Sequence, residues 1–263
     1  MQSIESNGAK TAYNLTGTGV PVVLLHGGEA THAMFDGLSR ILASRFTVIA
    51  YDQRDSGGTE NPSSQYSLAD LADDAAEVIA GLGYDRAHVF GTSMGGLIAQ
   101  VLATRHPDKI DRLVLGSTWK VGRSPLDVNE AAFKTLAGYR PDTAVNAPNI
   151  ARYFFPEDTL RARPELIEIF RGNNRNDGQK VRRSAVLSLP VSMDLPRFDR
   201  PTLLLAGRED KLIPYTETFA LADQFARAET MLLDGASHVS SIQMPERVAQ
   251  ALMEFLTSNK EAA

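Results

Sequence analysis

Short apolar runs alternate with helical patterns through the first 118 residues. Val20–Leu25 and Phe46–Tyr51 are largely apolar runs of strand length, and residues 34–43 between them have helical spacing. Ser67, with Asp70 three residues later, predicts the capped start of another helix. The alternation continues along the chain with a predicted strand at 86–91, a helix at 95–105 and a strand at 112–116.

The alternation stops at residue 119 and resumes after residue 200. Between these positions the strand pattern disappears, and helical pieces separated by prolines take its place. The pattern then resumes with a strand at 202–206, a helix at 215–226, a strand at 230–233 and a final helix at Pro245–Leu256. This organisation predicts an α/β core formed by residues 1–118 and 201–263, interrupted by an inserted helical segment at residues 119–200.

Short buried strands that alternate with helices favour a mostly parallel, doubly wound sheet with helices on both faces. In such sheets, ligands bind beyond the carboxyl ends of the strands. Residues that directly follow a predicted strand are therefore the first candidates for chemistry.

Ser93 lies between a predicted strand and a predicted helix, in the sequence Gly91-Thr92-Ser93-Met94-Gly95. This spacing indicates a nucleophile elbow, a tight turn that exposes the serine hydroxyl at a helix N-terminus. Glycines flank such a serine because side chains there would collide with the neighbouring strand and helix. Ser93 is the predicted nucleophile, and the backbone N–H of Met94 is a predicted oxyanion donor.

A serine nucleophile needs a general base and a carboxylate that orients the base. Of the five histidines in the chain, only His238 lies in a polar loop directly after the last predicted strand. Asp210 follows the strand at 202–206, whereas no carboxylate follows the strand that ends at residue 116. The resulting order of Ser93, Asp210 and His238 is the one expected for this kind of fold.

A second oxyanion donor is expected in the loop after the first long strand, which reads His26-Gly27-Gly28-Glu29. Gly28 can bring its backbone N–H close to a ligand, and His26 is interpreted as a structural residue that holds the loop. The Glu29 carboxylate would oppose a developing oxyanion. We therefore expect Glu29 to turn outward or to cap the next helix.

These residues together resemble the α/β-hydrolase superfamily over nearly the whole chain outside the inserted segment. Residues 91–96, 206–210 and 235–238 resemble its small esterase and 3-oxoadipate enol-lactonase-like members. Residues 51–57 resemble the DxRGxG turn of the superfamily, with Asp55 in place of a glycine.

The resemblance implies an acyl-enzyme mechanism with Ser93 as nucleophile, His238 as acid and base and Asp210 as orienting carboxylate. It also implies that residues 119–200 form a cap that shapes the substrate pocket. The candidate pocket residues are Glu29, Trp119, Tyr139, Tyr153 and Phe154. Packing inside the cap is the alternative interpretation of the aromatic ones. No metal and no organic cofactor is implied.

Charge and composition narrow the possible partners. The net charge of -5 gives no reason to expect nucleic-acid binding, which requires a basic surface. Residues 120–200 nevertheless carry 14 Lys and Arg against 10 Asp and Glu. This excess either draws an anionic substrate towards the site or, as is more usual, lies on a solvated helical surface.

The chain has no cysteine, which excludes disulfides, thiolate metal sites and a cysteine nucleophile. No signal peptide or membrane span is predicted, so we expect a cytoplasmic protein that does not bind membranes. The oligomeric state leaves no signal in the sequence. The expected activity is hydrolysis of a small carboxylic ester or lactone. The alternatives are a C–C bond hydrolase, enol-lactonase or perhydrolase with the same triad, or a non-catalytic ligand-binding member of the fold.

Overall fold

The computed structural model describes residues 1–172, 175–188, 191 and 198–258. The strands of these residues are β1 (Gln2–Ser6), β2 (Ala9–Thr16), β3 (Val20–Leu25), β4 (Phe46–Tyr51), β5 (Ala87–Thr92), β6 (Ile110–Gly116), β7 (Thr202–Gly207) and β8 (Ala228–Leu233). They form one sheet in the order β1-β2-β4-β3-β5-β6-β7-β8. β2 pairs antiparallel with β1 and with β4, and the other neighbours are parallel. The predicted mostly parallel sheet is confirmed.

β1 and β2 form an N-terminal hairpin that the pattern of apolar runs does not predict, because neither strand has a continuous run of large apolar residues. Asn7 and Gly8 connect them, with φ angles of 47° and 76°. An Asn-Gly pair at positive φ matches the right-handed twist of the flanking strands. That dipeptide is the sequence signal that could have found the hairpin.

The helices are α1 (Asp36–Leu42), α2 (Leu68–Gly81), α3 (Met94–Arg105), α4 (Pro125–Tyr139), α5 (Thr143–Phe154), α6 (Glu157–Ala162), α7 (Asp177–Ala185), α8 (Tyr215–Phe219), α9 (Ser240–Gln243) and α10 (Pro245–Leu256). Two predicted helices are shorter than expected. The stretch at 34–43 begins as a 3-10 turn at His32–Phe35, and the stretch at 215–226 continues after α8 as a 3-10 turn at Ala220–Gln224. Such tightened turns are common at helix ends.

Helices cover both faces of the sheet because successive strand residues point to opposite sides. In β3, Val23 and Leu25 pack with α2 and α3, whereas Val22 and Leu24 pack with α1 and α10. The doubly wound arrangement is therefore confirmed. It leaves the carboxyl edge of the sheet as the surface on which the loops after β3, β5, β7 and β8 meet.

The inserted helical segment, residues 119–200, contains α4 to α7 and, in the residues that are described, no strand. Ser124 and Asp127 form a capping box at the start of α4, with Pro125 in the first turn. Buried side chains of α4 and α5, including Leu136 and Ile150, join the same core cluster as α2 and α3. Residues 173–174, 189–190 and 192–197 of the predicted segment lie outside the described residues.

No helix in the described part of the chain is both long enough and apolar enough to cross a membrane. Nor do the described residues contain a group of three or more His, Asp or Glu side chains arranged to hold a metal ion.

His88 in β5 is a buried histidine on the face of the sheet away from α2 and α3. Its ring packs against Phe46 with centroids 6.0 Å apart. Its Nδ1 lies 3.2 Å from a carboxylate oxygen of Asp111, but not in hydrogen-bond geometry. Burial lowers the pKa of His88 from 6.5 to about 4.

The free energy of unfolding should therefore fall as the pH drops from 6.5 to 4. The unfolded chain takes up a proton on His88 in this range, whereas the folded protein does not, and the full effect is roughly 3 kcal/mol. Urea denaturation at pH 7 and pH 4.5 should show a smaller loss for His88→Leu than for the unmodified chain. Phe46→Leu, which alters the same packing without removing a titrating group, should keep the original pH dependence. An unchanged dependence in His88→Leu would contradict the prediction.

Candidate active site

Ser93 lies on a strained turn between β5 and α3. Its backbone has φ 55° and ψ -123°, a conformation that non-glycine residues rarely adopt. Four hydrogen bonds hold it there: Ser93 N–H donates to Gly116 O at 2.9 Å, and Ser93 O accepts from Thr118 Oγ1 at 2.8 Å and from the N–H groups of Gly96 and Leu97 at 2.9 and 3.3 Å. The strain of the turn is thus maintained by the adjacent strand β6 and by the start of α3.

The two glycines of the GxSxG pattern are required by close backbone contacts. A Cβ atom on Gly91 would lie 2.2 Å from Gly95 O, and one on Gly95 would lie 2.0 Å from Leu25 O. Both distances are far below van der Waals contact. The elbow therefore depends on strand β3 and helix α3 approaching more closely than any side chain would permit.

His238 and Asp210 are in direct contact beyond the ends of β8 and β7. His238 Nδ1 lies 2.8 Å from Asp210 Oδ2, and both side chains are almost fully buried. Asp210 Oδ1 accepts from the backbone N–H groups of Leu212 and Ile213 at 2.9 and 2.8 Å. A carboxylate accepts hydrogen bonds, so this contact suits Nδ1–H of His238 as the donor, and Nε2 is the ring nitrogen not engaged by Asp210.

Hydrogen bonds between the loops after β7 and β8 fix this pair. Glu209 N–H donates to Ala236 O at 2.9 Å, and Ser237 Oγ donates to Glu209 O at 3.2 Å. Gly207 permits the contact, since a Cβ there would lie 2.4 Å from Ala236 O. The loops that carry Asp210 and His238 are therefore hydrogen-bonded to each other, which fixes the relative position of the two side chains.

Ser93 lies at the same edge of the sheet as this pair. It follows β5, whereas Asp210 follows β7 and His238 follows β8, and these parallel strands are separated only by β6. Among the described residues, no hydrogen bond joins the Ser93 hydroxyl to His238. In hydrolytic sites this contact often tightens only when substrate binds.

The loop after β3 lies against the elbow. A Cβ on Gly27 would lie 3.6 Å from Ser93 Cβ, and one on Gly28 would lie 3.6 Å from Met94 Sδ. The Met94 N–H stands in the first turn of α3, where backbone donors have no partner within the helix. The two predicted oxyanion donors therefore belong to segments that are in van der Waals reach of each other.

His26 is buried and holds the loop, as the sequence predicts. Its Nε2 accepts from Gln53 N–H at 3.1 Å, so its Nδ1 carries the proton and donates to Gly27 O at 2.8 Å. Burial, together with the nearby Arg183 guanidinium, lowers the pKa of His26 to about 3. The ring is therefore neutral at neutral pH, which this hydrogen-bond pattern requires.

Several arginines of the inserted segment contact the loops of the core, and Arg175, Arg182 and Arg183 are the ones with largely buried side chains. Arg182 forms a bidentate ion pair with Asp55, with N···O distances of 2.9 and 2.7 Å. Arg175 donates to the backbone oxygens of Asp55 and Ala30 and to the side chain of Ser56. For these residues the prediction of a solvated surface is wrong, because their side chains are largely buried against the core.

Asp55 replaces a glycine of the DxRGxG turn, and the structure shows why an aspartate is accommodated there. Its φ angle of 55° lies in the left-handed region that favours glycine, and aspartate tolerates that region better than most residues. Its carboxylate accepts both hydrogen bonds from Arg182. The replacement of glycine thus provides an ion pair between the core and the inserted segment.

Glu29 pairs with two arginines of the inserted segment. Its carboxylate oxygens lie 3.2 Å from Arg175 Nη1 and 3.5 Å from Arg140 Nη2. Of the two expected positions of Glu29, the structure shows the outward one: its side chain is more than half exposed, whereas Thr31 caps the following 3-10 turn. Its charge is offset by cations, so it opposes an adjacent oxyanion less than the sequence suggests.

The aromatic candidates occupy different environments. Trp119 is buried in the core cluster, and its indole N–H donates to Arg123 O at 3.0 Å. Tyr139 and Tyr153 are partly buried against the same cluster. Phe154 is the one in ring contact with the predicted triad, with its centroid 5.4 Å from that of His238 and an interplanar angle of 72°.

The sequence pattern missed Gln53 and Arg183, which adjoin the predicted oxyanion loop. Arg183 Nη2 donates to Gln53 Oε1 at 2.5 Å, and its Nε donates to Gly28 O at 3.1 Å. The charge excess of residues 120–200 was the only signal that pointed to this arginine. It indicated a set of cations but no particular partner.

The fold and the elbow at Ser93 define a hydrolase of the α/β class, and comparison with known proteins agrees. The chain belongs to the α/β-hydrolase superfamily: the family profile described as alpha/beta hydrolase fold matches residues 20–149. A 2-hydroxymuconate semialdehyde hydrolase from Pseudomonas putida is 30% identical over 271 residues, which cover 97% of this chain and 93% of that protein.

Two further relatives have similar sequence identity to this chain. RutD from Caulobacter sp. (strain K31), a protein named for carbamate hydrolysis, is 29% identical over 224 residues, or 82% of each chain. The structure of a thermophilic esterase from Thermogutta terrifontis superposes with a TM-score of 0.82 at 28% identity, covering 97% of this chain and 98% of that one. Similar proteins of the same fold thus carry the names of different hydrolytic activities.

Proposed function

We propose that this hydrolase cleaves a small carboxylic ester or lactone through an acyl-Ser93 intermediate. The observation that carries the proposal is the 2.8 Å contact of His238 with Asp210 at the sheet edge where Ser93 is held at positive φ. A serine on a strained elbow and a histidine whose Nδ1 is held by a buried carboxylate are the groups that acyl transfer requires.

In the first half-reaction, Ser93 Oγ attacks the acyl carbonyl and gives its proton to His238 Nε2. The carbonyl π electrons move to oxygen and form a tetrahedral intermediate. As this intermediate collapses, the bond to the alcohol oxygen breaks and His238 returns the proton to that oxygen. In the second half-reaction, water gives its proton to His238 and attacks the acyl-enzyme, and the proton returns to Ser93 as the acid leaves.

The negative oxygen of each intermediate would be bound by the N–H groups of Met94 and Gly28. Met94 offers a donor of the first helical turn, and the positive end of the α3 dipole favours the same charge. The assignment of Gly28 as the second donor is supported by the proximity of its loop to the Met94 side chain. Asp210, held by two backbone N–H groups, would keep His238 in the tautomer that accepts a proton.

We propose that the inserted segment acts as a cap and that Phe154 lines the acyl or alcohol pocket beside His238. The ring contact and the hydrogen bond from Val239 N–H to Phe154 O at 3.4 Å support this assignment. Tyr139 and Tyr153 remain candidates for more distant parts of the pocket. Trp119 and Glu29 have the weaker support, because one is buried in the core and the other pairs with arginines.

Hydrolysis of a C–C bond by the same residues is the second candidate. It is favoured by the 30% identical relative named for 2-hydroxymuconate semialdehyde, a compound without an ester bond. A panel of p-nitrophenyl esters, lactones, carbamates and aromatic dienoates separates the two. Turnover of the dienoates that exceeds turnover of every ester and lactone would replace ester hydrolysis as the proposed activity.

Labelling with a fluorophosphonate tests the role of Ser93. We expect one adduct per chain, located by mass spectrometry on the peptide that contains Ser93, because only an activated serine attacks phosphorus at a useful rate. Ser93→Ala should not be labelled, whereas Ser240→Ala, two residues beyond His238, should be labelled as before. An adduct on another residue, or labelling that persists in Ser93→Ala, would remove Ser93 from the mechanism.

A further inference from the structure

The peptide bond between Gly27 and Gly28 is held on its carbonyl side. Gly27 O accepts from His26 Nδ1 at 2.8 Å and from Ala30 N–H at 3.3 Å. The N–H of the same peptide group belongs to Gly28, the proposed oxyanion donor. Hydrogen bonds to a carbonyl polarise its peptide group and make the N–H a stronger donor. The orientation and strength of the Gly28 donor thus depend on His26, which makes the shorter of the two contacts, together with Ala30.

His26 is in turn held by Gln53, which contacts both its ring and its backbone. Gln53 N–H donates to His26 Nε2 at 3.1 Å, and Gln53 Nε2 donates to His26 O at 2.9 Å. The amide oxygen of the Gln53 side chain accepts from Arg183. With its oxygen occupied by a cation, the amide of Gln53 must direct its NH₂ group towards His26.

Arg183 reaches this loop from helix α7 of the inserted segment. Besides Gln53 Oε1, its guanidinium donates to Gly28 O at 3.1 Å and to Arg54 O at 3.2 Å. These acceptors are neutral, although the side chain is almost fully buried. Burial lowers the pKa of Arg183 to about 10, so the group is still charged at neutral pH.

A buried cation on neutral acceptors is costly, and stability alone gives little reason to keep it. Its neighbour Arg182, on the same helix, has a carboxylate partner, and in the described part of the chain its side-chain hydrogen bonds go to Asp55 and Ser63 and not to residues 26–28. The two adjacent arginines therefore join the inserted segment to the core in different ways. One makes an ion pair, and the other contacts the loop of the proposed oxyanion hole.

We propose that Arg183 is a positioning residue that completes the oxyanion hole when the inserted segment is docked. It acts through Gln53 and His26 on the peptide between Gly27 and Gly28, and it holds the next carbonyl, Gly28 O, directly. This inference rests on the proposed function, because it assigns a purpose to the Gly28 donor. It makes the helical segment part of the catalytic apparatus as well as a cover for the substrate.

The test compares hydrolysis of a p-nitrophenyl ester with hydrolysis of its thiono analogue. Sulfur is a poor hydrogen-bond acceptor, so the preference of an enzyme for the oxygen ester measures how well its oxyanion hole works. In Arg183→Met we expect kcat for the oxygen ester to fall about 10- to 100-fold, with little change in KM. The oxygen-to-sulfur preference should fall with it. Arg182→Met is the matched control and should keep the original preference.

Arg183→Lys is a second test variant, to be used if Arg183→Met fails to fold. It keeps the charge but cannot place donors on three separated acceptors, so it too should show a reduced preference. A folded Arg183 variant that keeps the original preference overturns the proposal, even if its melting temperature and kcat are lower. An equal loss of preference in Arg182→Met also overturns it, because general loosening of the segment would then be the cause.

Failure of the proposed function is visible separately. If fluorophosphonate does not label Ser93 and Ser93→Ala retains turnover, the acyl-enzyme mechanism is wrong and the positioning role falls with it. If Ser93 is labelled and the Arg183 variants keep the original preference, the acyl-enzyme mechanism stands and only the role of Arg183 is rejected.

Discussion

His238→Ala is expected to lower kcat for ester hydrolysis by about 10⁶-fold while the protein stays folded. Without the imidazole, the Ser93 hydroxyl has no base to accept its proton, and the leaving alcohol has no acid. The fold should survive because the remaining carboxylate of Asp210 keeps its two backbone donors, Leu212 and Ile213. Initial rates under saturating ester and near-ultraviolet circular dichroism measure the two parts of the prediction.

The effect should not add to that of Ser93→Ala. Residues that act as one unit lose their function together, so the double variant is expected to retain about the same residual rate as either single variant. His106→Ala is the control, because this histidine pairs with Asp73 at the end of α3, away from the loops after β5, β7 and β8. A His238→Ala protein that retains a tenth of the activity would exclude His238 as the base. A collapsed thermal transition would instead identify a structural histidine.

The positions of Ser93, Asp210 and His238 at the carboxyl edge of the sheet could be predicted because they depend on local patterns. Each follows a short buried strand, and the carboxyl ends of parallel strands meet at one edge of a sheet. The elbow adds two glycines at fixed spacing. No other residue fits at either position, because a Cβ atom there would lie only 2.0 or 2.2 Å from a backbone oxygen. Chemistry and topology here leave signals within a few residues of one another.

The contacts of Arg182 and Arg183 could not be predicted in the same way. Arg182 pairs with Asp55, 127 positions away, and Arg183 contacts Gly28, 155 positions away. No periodicity encodes such pairs, because they depend on how α7 lies on the core. An excess of basic residues is compatible with solvent, substrate or protein partners, and only the three-dimensional arrangement separates these possibilities.

The N-terminal hairpin is a different kind of omission. Its strands lack the apolar runs that identify β3 and β4: β1 lies at the edge of the sheet with much of its surface exposed, and the buried residues of β2 are interrupted by polar ones. The local signal is the Asn7-Gly8 turn. The hairpin can therefore be predicted from the residues of its turn, although not from the hydrophobicity of its strands.

The contacts of the inserted segment connect the two halves of the proposed mechanism. Phe154 lies against His238, and Arg183 holds the loop of Gly28. The proposed base and one proposed oxyanion donor are thus contacted by the same inserted segment, one from the end of α5 and the other from α7. A variant that disturbs the segment should therefore change the rate of chemistry as well as the affinity for substrate.

Asp210→Asn is expected to lower kcat by about 10⁴-fold with little change in KM. The asparagine oxygen can replace Oδ1 and accept from Leu212 and Ile213, which leaves its NH₂ group facing His238 Nδ1. A donor at that position requires Nδ1 to accept, which moves the ring proton to Nε2. The imidazole is then in the tautomer that cannot take the proton of Ser93.

The neighbouring carboxylate provides the control for this substitution. Glu209→Gln removes a charge next to Asp210 but leaves the contact of 2.8 Å with His238 intact, so its kcat should stay within about twofold of the original. If Asp210→Asn also retained most of its activity, the carboxylate would not orient the base. If both variants lost activity equally, the loss would come from the charge of the loop. A loss of activity in Asp210→Asn but not in Glu209→Gln is expected only if the reaction depends on which ring nitrogen of His238 carries the proton.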